Sequence, residues 1–382
     1  MPDFRQIVAS SGLTARALCR SGAFRGATVL LIASVVGLSF LFCGDGTPDG
    51  DFRVVFSYTL MTGWIVSGFA ALIAGCAAGA GDIDQSRIHL LRVKPVSGTV
   101  FWWGSWLGLL RIQLGAALLT GLLTAVVLSV RFGPETFMTQ TSRITVPAGA
   151  SADYIALENG MTNTLAFGSA FADPDTRLRV RFDPLIGNRA GVNLAVKTSA
   201  RTTTIQSFTQ NELNIPLGAF DGSVDLIHDG KQGEPALLYR TAKDVRILEP
   251  GLPFWANLLL VQLAHFAVLG LLAGVGLLLG VSFSLPVAVF VGTLLLTVVT
   301  VAPTDATEID TSVRRNRAGY VIARGVEVVL MPLTRAEPIA RAEDKDLIDP
   351  AALAWLSFCY LLLYPAGLAV LSAAVLRRRE YF

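Results

Sequence analysis

The chain has 382 residues, of which 52% are hydrophobic and only 16% are charged, whereas a typical soluble domain carries about 25% charged residues. The apolar residues are gathered into long uncharged blocks, so the composition excludes a disordered or fibrous chain and indicates an integral membrane protein. The net charge of +2 gives no reason to expect a nucleic-acid partner.

Residues 1–26 predict an amphipathic helix on the cytoplasmic surface of the membrane. Apolar residues such as Phe4, Val8 and Leu13 are interleaved with arginines such as Arg5 and Arg16. A helix with one apolar face and a basic polar face binds in the interface between lipid headgroups and acyl chains.

Six apolar blocks are long enough to cross a hydrocarbon core of about 30 Å, which takes about 20 residues. They cover residues 27–43, 54–80, 101–130, 254–281, 286–302 and 351–376. A cleaved signal peptide fits the first block poorly, because no small-x-small site follows Cys43. We therefore predict an α-helical integral membrane protein with six transmembrane helices: three in residues 27–131, two in residues 251–302 and one in residues 351–382.

Basic residues predict the orientation of these helices. They cluster before the first block, between the second and third, and after the last: Arg16, Arg20, Arg25, Arg87, Arg92, Lys94, Arg377, Arg378 and Arg379. Lysine and arginine in short flanks favour the cytoplasmic side. With an even number of spans, we expect both termini to be cytoplasmic in a bacterial-type plasma (inner) membrane.

The polar segment 132–250 has the pattern of an all-β domain. Apolar and polar residues alternate in short runs around 177–182, 192–194, 213–215, 224–226 and 245–247, with turn residues between them. This spacing predicts an inserted, extracytoplasmic antiparallel β-sandwich. All four cysteines lie elsewhere, which excludes a disulfide in this domain. Its only histidine is His228, so we predict no metal or catalytic cluster in it.

The second polar segment outside the membrane, residues 303–350, carries an apolar stretch at 320–333. Basic residues precede this stretch and acidic residues follow it. A short helix dipping into the outer interface and a pair of strands both fit the pattern, and a wholly structureless loop of this length would be unusual.

A short helix is predicted near residues 82–92, between the second and third spans. Ile83, Arg87, Leu90 and Leu91 recur at helical spacing, and Pro95 ends the pattern because the residue before a proline avoids the helical region. A plain connector with cytoplasmic charges fits the same residues.

The stretch Lys94-Pro95-Val96-Ser97-Gly98 followed by Gly104-Ser105-Trp106-Leu107-Gly108 resembles a motif of the membrane subunits of type-2 ATP-binding-cassette (ABC) transporters. That motif reads basic-Pro-Val/Ile-Ser-Arg, a few apolar residues, then Gly-Lys-x-x-Gly. Gly98 and Ser105 stand where the family usually has basic residues. The N-terminal amphipathic segment is similar to the elbow helix of the family, and the turn at 282–286 is similar to its second cytoplasmic contact.

The resemblance implies a permease that pairs with itself or with a similar chain and that is driven by a separate ATPase subunit, which would hold the ATP and Mg²⁺. It also implies the residues that contact the ATPase. These are Asp82, Asp84, Arg87, Leu90, Leu91, Arg92, Lys94, Pro95, Ser282 and Ser284.

The chain has no G-x-x-x-x-G-K-[ST] motif, so we expect no ATP hydrolysis by the chain itself. Ion-coupled carriers need ionisable groups within the bilayer, and the six blocks contain no Asp or Glu. An intramembrane protease would need paired aspartates or a Ser/His dyad, and the sequence shows no such motif. The polar candidates within the blocks are Arg111, Gln113, Asn257, Gln262 and His265.

Two further patterns concern packing. Gly270-x-x-x-Gly274 and Gly276-x-x-x-Gly280 have the small-residue spacing that lets helices approach closely. Trp102, Trp103 and Trp106 begin the third block, where an aromatic belt at the membrane surface is expected.

The sequence thus predicts an ABC transporter permease subunit for an unidentified substrate, in contact with membrane lipid. The alternative is a non-transporting membrane anchor whose β domain binds a ligand or an envelope partner.

Overall fold

The computed structural model shows two compact units, which we describe separately. The helical unit comprises Met1–Met138, Trp255–Asp344 and Ile348–Phe382, and the β unit comprises Thr139–Phe254 and Lys345–Leu347. The structure describes residues 2–42, 48–84, 97–151, 153–158, 160–167, 170–171, 173–181, 192–198, 202–208, 212–228, 237–241, 244–301, 329–333 and 335–378.

The helical unit consists of long apolar helices and a few shorter ones. Its helices are α1 (Pro2–Arg20), α2 (Gly22–Leu41), α3 (Pro48–Asp84), α4 (Gly98–Phe132), α5 (Phe254–Ser282), α6 (Leu285–Val301), α7 (Pro338–Glu343) and α8 (Pro350–Arg378), and a 3₁₀ turn covers Pro134–Met138. Residues 329–333, at the end of the apolar stretch of the second polar segment, are also helical. The rest of that stretch lies outside the described residues.

In the part of the chain that the structure describes, five helices are long and apolar enough to cross a membrane: α2, α3, α4, α5 and α8. The prediction of six such helices is therefore wrong by one. The block at 286–302 forms α6, which has 17 residues and a length of about 25 Å at 1.5 Å per residue. That length falls short of a hydrocarbon core of about 30 Å.

Polar side chains fix the starts of three of these helices. The Ser21 and Ser97 hydroxyls accept hydrogen bonds from the backbone N–H groups of Phe24 (3.1 Å) and Val100 (3.3 Å). The Asp349 carboxylate accepts one from Ala351 N–H (3.0 Å), ahead of Pro350 in the first turn of α8. These caps satisfy N–H groups that have no partner within the helix.

α3 and α5 touch through their backbones. A Cβ on Gly276 or Gly280 would collide with the carbonyl oxygens of Leu72 and Cys76, and a Cβ on Gly79 would lie 2.7 Å from Leu277 O. The predicted close packing at Gly276 and Gly280 is confirmed. The contacts follow the same order along both helices, so α3 and α5 run parallel here.

The tryptophans at the start of α4 do not form a surface belt. Trp102 and Trp106 are buried in a core with Leu109, Ala273 and Leu277, and the indole N–H of Trp106 donates to Gly270 O at 3.0 Å. The belt prediction is wrong for these two residues, because other helices of the unit cover this part of α4.

The β unit confirms the predicted antiparallel β structure. Its strands are β1 (Gln140–Thr145), β2 (Tyr154–Leu157), β3 (Thr162–Ala166), β4 (Arg177–Arg181), β5 (Val192–Thr198), β6 (Thr202–Phe208), β7 (Glu212–Pro216), β8 (Ser223–His228), β9 (Leu237–Arg240) and β10 (Val245–Pro253). Over the described residues, one sheet has the order β1-β10-β4-β7, a second has β3-β8-β5-β6, and β2 pairs with β9.

An apolar core lies between the two larger sheets. Leu178 and Ile247 from one sheet and Leu194 and Val224 from the other are fully buried in the same cluster. Each inner face is supplied by alternate residues of its strands, as the period-two pattern predicts.

Residues 345–347, here called the strap, come late in the chain but belong to the β unit. Asp346 pairs in parallel with Ser142 of β1. The Ser142 N–H donates to Lys345 O (2.9 Å), and the Leu347 N–H donates to Ser142 O (2.8 Å). The strap thereby gives β1 hydrogen-bond partners on its outer side, where an edge strand would otherwise be open.

Candidate functional site

The structure describes four of the ten predicted ATPase contacts. Asp82 and Asp84 lie in the last turn of α3, which continues to Asp84 instead of ending near residue 80. Ser282 is the last residue of α5, and Ser284 lies in the turn before α6. The other six lie outside the described residues: Arg87, Leu90, Leu91, Arg92, Lys94 and Pro95.

The turn between α5 and α6 is tight and exposes an aromatic side chain. The Phe283 N–H donates to Leu279 O (2.8 Å), and the Ala288 N–H donates to Ser284 O (2.9 Å), so one helix ends as the next begins. The Ser282 hydroxyl donates to Leu278 O within its own helix (2.8 Å). Phe283 and Ser284 are exposed.

These two segments lie at the same end of one helix pair. Gly79 of α3 faces Val281 of α5, since a Cβ on Gly79 would lie 2.9 Å from Val281 N. Asp82 and Asp84 follow Gly79 within about a turn and a half, and Ser284 follows Val281 within one turn. The backbone ends of α3 and α5, where these four predicted contact residues occur, therefore lie next to each other.

The N-terminal helix packs on the start of α4. A Cβ on Gly104 would lie 2.6 Å from Ser10 Cβ, and a Cβ on Gly108 would lie 2.6 Å from Ser11 O. These are the two glycines of the Gly104-Ser105-x-x-Gly108 motif. The motif glycines are thus the positions where α1 approaches the backbone of α4.

A buried polar cluster lies between α3 and α5. The imidazole of His265 is fully buried, and its Nε2 lies 2.8 Å from the hydroxyl of Ser67. Its Nδ1 lies 3.2 Å from Gln262 Oε1. The indole of Trp64 stacks on the imidazole with centroids 4.8 Å apart and planes at 9°. We call these four residues the His265 cluster.

The hydrogen bonds of the cluster fit one tautomer of His265. With the Gln262 amide oxygen facing Nδ1, that nitrogen donates, and Nε2 of the neutral ring then accepts from the Ser67 hydroxyl; the other tautomer would require the Gln262 amide to be turned over. The same hydroxyl lies 2.5 Å from Gly63 O, so a single proton serves two acceptors. The connectivity is that of a nucleophile, a base and an orienting group, which the sequence did not predict.

Two features oppose chemistry at this dyad. Ser67 is only 2% exposed and His265 is 0% exposed, so a substrate cannot reach the hydroxyl in this arrangement. A hydroxyl that donates to the carbonyl four residues earlier is also the ordinary state of serine inside a membrane helix. The arrangement joins two helices and is not open for acyl transfer.

The His265 cluster retains hydrogen-bonding capacity. The indole N–H of Trp64 and the amide Nε2 of Gln262 are buried without a hydrogen-bond partner among the described residues. Gln262 packs closely against Gly121 of α4. A Cβ on Gly121 would lie only 2.8 Å from Cγ of Gln262, so glycine is what allows this approach. Unpaired buried donors favour an acceptor such as water or a neutral carbonyl.

The other predicted polar candidates do not join this cluster. Gln113 is buried on α4, and Asn257 is buried on α5, where its Oδ1 accepts from Ile348 N–H at 3.1 Å. Arg111 is exposed. Sequence reasoning identified His265 and Gln262 but missed Ser67 and Trp64, because Ser67 lies 198 residues from His265 and the pairing has no local signal.

The β unit has a charged cluster of its own. Asp346 of the strap is fully buried, and its carboxylate accepts two hydrogen bonds from Arg179 (3.0 and 3.1 Å) and lies 3.5 Å from Arg246. These arginines face each other on β4 and β10. One carboxylate therefore relieves the repulsion between two adjacent cations.

Two other titratable groups of the β unit are buried. Burial raises the pKa of the Tyr239 phenol, and the hydrogen bond from Asn163 opposes that shift. His228 is fully buried, and its Nδ1 lies 3.2 Å from Leu157 O. Among the described residues, no three His, Cys, Asp or Glu side chains are grouped as a metal site would require.

No family model and no curated protein matches this chain. The five long apolar helices indicate a multi-pass membrane protein, and this class is what the fold defines.

Proposed function

We propose that the chain is the permease subunit of a type-2 ABC transporter. It would move its substrate with ATP hydrolysed by a separate subunit, which would also hold the Mg²⁺. The observation that carries this proposal is the shared location of the two predicted contact segments, at the ends of α3 and α5 where the two helices touch.

The physical argument concerns force transmission. Two separate loops contacted by one ATPase would move independently if they belonged to distant helices. Here the backbones of α3 and α5 meet at Gly75, Gly79, Gly276 and Gly280, and the His265 cluster joins the same helices further along. A displacement at Asp84 and Ser284 would therefore tilt both helices as one body.

The packing of α1 supports the same proposal. In the resembled family an elbow helix precedes the first span, and here α1 precedes α2 with only Ser21 between them. Its contacts with Gly104 and Gly108 give a physical reason for both glycines of the motif.

The proposal includes an orientation and an assembly. The N-terminus, Asp84 and Ser284 would face the cytoplasm of a bacterial-type inner membrane, and the β unit would lie outside it. A cytoplasmic C-terminus requires an even number of crossings, so in this proposal α6 and the residues that follow it complete a sixth crossing. The chain would form a homodimer, or a heterodimer with a similar permease. In the alternative, a non-transporting anchor, the β unit would bind a ligand or an envelope partner, and the ends of α3 and α5 would contact no ATPase.

The test is affinity purification of the full chain from native membranes in mild detergent, followed by an ATP hydrolysis assay and mass spectrometry of the captured proteins. We expect a captured subunit with a Walker A motif, and at least a tenfold loss of captured ATPase activity in Leu90→Asp and Phe283→Asp. Lys197→Glu, in the exposed part of the β unit, is the control and should capture as much as the wild type. Capture of no ATPase, or equal capture by all variants, would favour the anchor.

A further inference from the structure

The helical unit carries a charged side chain on an apolar, exposed helix face. Arg111 is exposed on α4. The positions that follow on the same side are exposed leucines, with Leu114 at 47%, Leu118 at 55% and Leu122 at 62%. The structure gives Arg111 no ion pair or hydrogen bond within the described part of the chain.

Arg111 lies at the edge of α1. Residues 104, 108, 111 and 115 share one face of α4, because they recur at intervals of four, three and four. α1 covers Gly104 and Gly108 on that face, whereas a Cβ on Gly115 would meet nothing within 4 Å. α1 therefore covers this face of α4 only up to Arg111. Beyond Arg111, the exposed residues Leu114, Gly115, Leu118 and Leu122 form an open strip on α4.

α1 presents exposed apolar and basic residues of its own. Phe4 is 70% exposed and Val8, one turn later, is 43% exposed. The arginines Arg5, Arg16 and Arg20 are also exposed. At 100° per residue they lie within about 60° of one another, on the side of α1 that faces away from its contacts with α4 at Ser10 and Ser11. α1 thus carries apolar side chains for acyl chains and a row of guanidinium groups for anionic headgroups.

Together these features define a phospholipid site. We propose that Arg111 and the open strip beside Gly115, at the edge of α1, bind an anionic phospholipid, with the phosphate at the guanidinium and an acyl chain along the strip. A guanidinium keeps its charge and binds a phosphate through two parallel hydrogen bonds. Arg111 is about 4.5 Å along the axis from Gly108, so its side chain can reach back to the level of α1.

An anionic lipid fits better than a zwitterionic one because of the charges nearby. Each arginine close to an anionic membrane surface adds about fivefold to the affinity. The row on α1 faces away from α4, so it adds only to the positive charge near the membrane surface and not to contacts with the phosphate at Arg111, and salt should weaken that long-range contribution. The proposal requires only that the chain lies in a membrane, so it stands independently of the proposed permease function.

The experiment is a titration of the purified full chain with phosphatidylglycerol and, separately, with phosphatidylcholine of the same acyl chains, followed by native mass spectrometry. We expect phosphatidylglycerol to bind more tightly. Arg111→Gln should reduce its affinity about fivefold and leave phosphatidylcholine less affected, and Arg111→Lys should fall between. Arg177→Gln, an exposed charge of the β unit, is the matched control and should have no effect.

Gly115→Leu tests the contribution of the strip apart from that of the charge, because the new side chain fills the strip while Arg111 is unchanged. We expect it to weaken the binding of both lipids equally. The proposal is overturned if Arg111→Gln keeps the full preference for phosphatidylglycerol. It is also overturned if Arg111→Gln changes only the self-association of the chain, because the anion beside Arg111 would then belong to a second copy.

Discussion

At the scale of single residues, buried polar groups in both units are paired across long distances in the sequence. Ser67 and His265 join two membrane helices through a bond of 2.8 Å, and Arg179 and Asp346 join β4 to the strap. Removing one member of such a pair lowers the stability of the fold, because the remaining partner stays buried without its hydrogen bond.

Replacing Ser67 by alanine tests the His265 cluster. We expect the free energy of unfolding in detergent to fall by about 0.6 kcal/mol and by at most about 1.7 kcal/mol, the range for hydrogen bonds between membrane helices. Ser34→Ala is the control, because the Ser34 hydroxyl donates to Leu31 O of its own helix. Equal losses for both variants would show that the bond to His265 contributes nothing.

A second measurement on Ser67 addresses its chemistry. Since Ser67 and His265 are buried, we expect no labelling of the chain by a fluorophosphonate probe in native membranes. Labelling of Ser67 that His265→Ala abolishes would instead identify a reactive serine.

Replacing Asp346 by asparagine tests the strap. The change leaves two facing arginines, Arg179 and Arg246, without the buried carboxylate between them. We expect a loss on the order of 3–5 kcal/mol in local stability, measured as faster amide hydrogen exchange in β4 and β10. The control is Asp344→Asn, whose partner Arg53 is 3.6 Å away and 35% exposed; that variant should change local stability by about 1 kcal/mol or less. Unchanged exchange in Asp346→Asn would contradict the assigned role of the carboxylate.

At the scale of elements, the α3–α5 contact decides how the helical unit is held together. Glycine at 75, 79, 276 and 280 brings two backbones into contact, and this proximity increases the dispersion attraction between helices that gain no hydrophobic free energy from meeting in lipid.

Gly276→Ala should therefore destabilise the helical unit, because the new Cβ collides with the carbonyl of Leu72. We expect a loss of about 1–3 kcal/mol, as for other overpacked sites, measured by unfolding in detergent. Gly367→Ala on α8 is the matched change, since a Cβ there meets nothing within 4 Å. It should be neutral or raise stability by up to about 1 kcal/mol. Two variants of equal stability would disprove the backbone contact.

At the scale of the whole molecule, the chain divides into a helical unit and a β unit. The chain enters the β unit near Thr139 and leaves it near Phe254, and it returns for the three residues of the strap. The β unit is therefore a two-segment domain, and its edge strand β1 is completed by residues about 200 positions later in the sequence.

The purified chain alone should hydrolyse neither ATP nor GTP above the buffer background, since its sequence has no phosphate-binding glycine loop. A phosphate-release assay in detergent and in lipid vesicles measures this. If ATP or GTP hydrolysis co-purifies with the chain in two different purification schemes, the chain itself hydrolyses the nucleotide, and the proposal of a separate ATPase subunit is wrong.

The sequence by itself determined the membrane class, five of the predicted spans and the antiparallel strands. Hydropathy and period-two alternation are local properties, so a window of about 20 residues contains the signal. His265 and Gln262 could also be singled out, because polar residues are rare within apolar blocks.

Only the tertiary structure decided which of these residues meet. Ser67 joins His265 and the strap joins Arg179 because helices and strands far apart in the chain pack together, and no local pattern encodes that packing. The tryptophans of α4 show the same limit: a belt and a buried core have the same local sequence, and the neighbouring helices select the core. Nor could composition alone assign Arg111 to an exposed face rather than to the interior, because that assignment depends on where α1 ends its cover of α4.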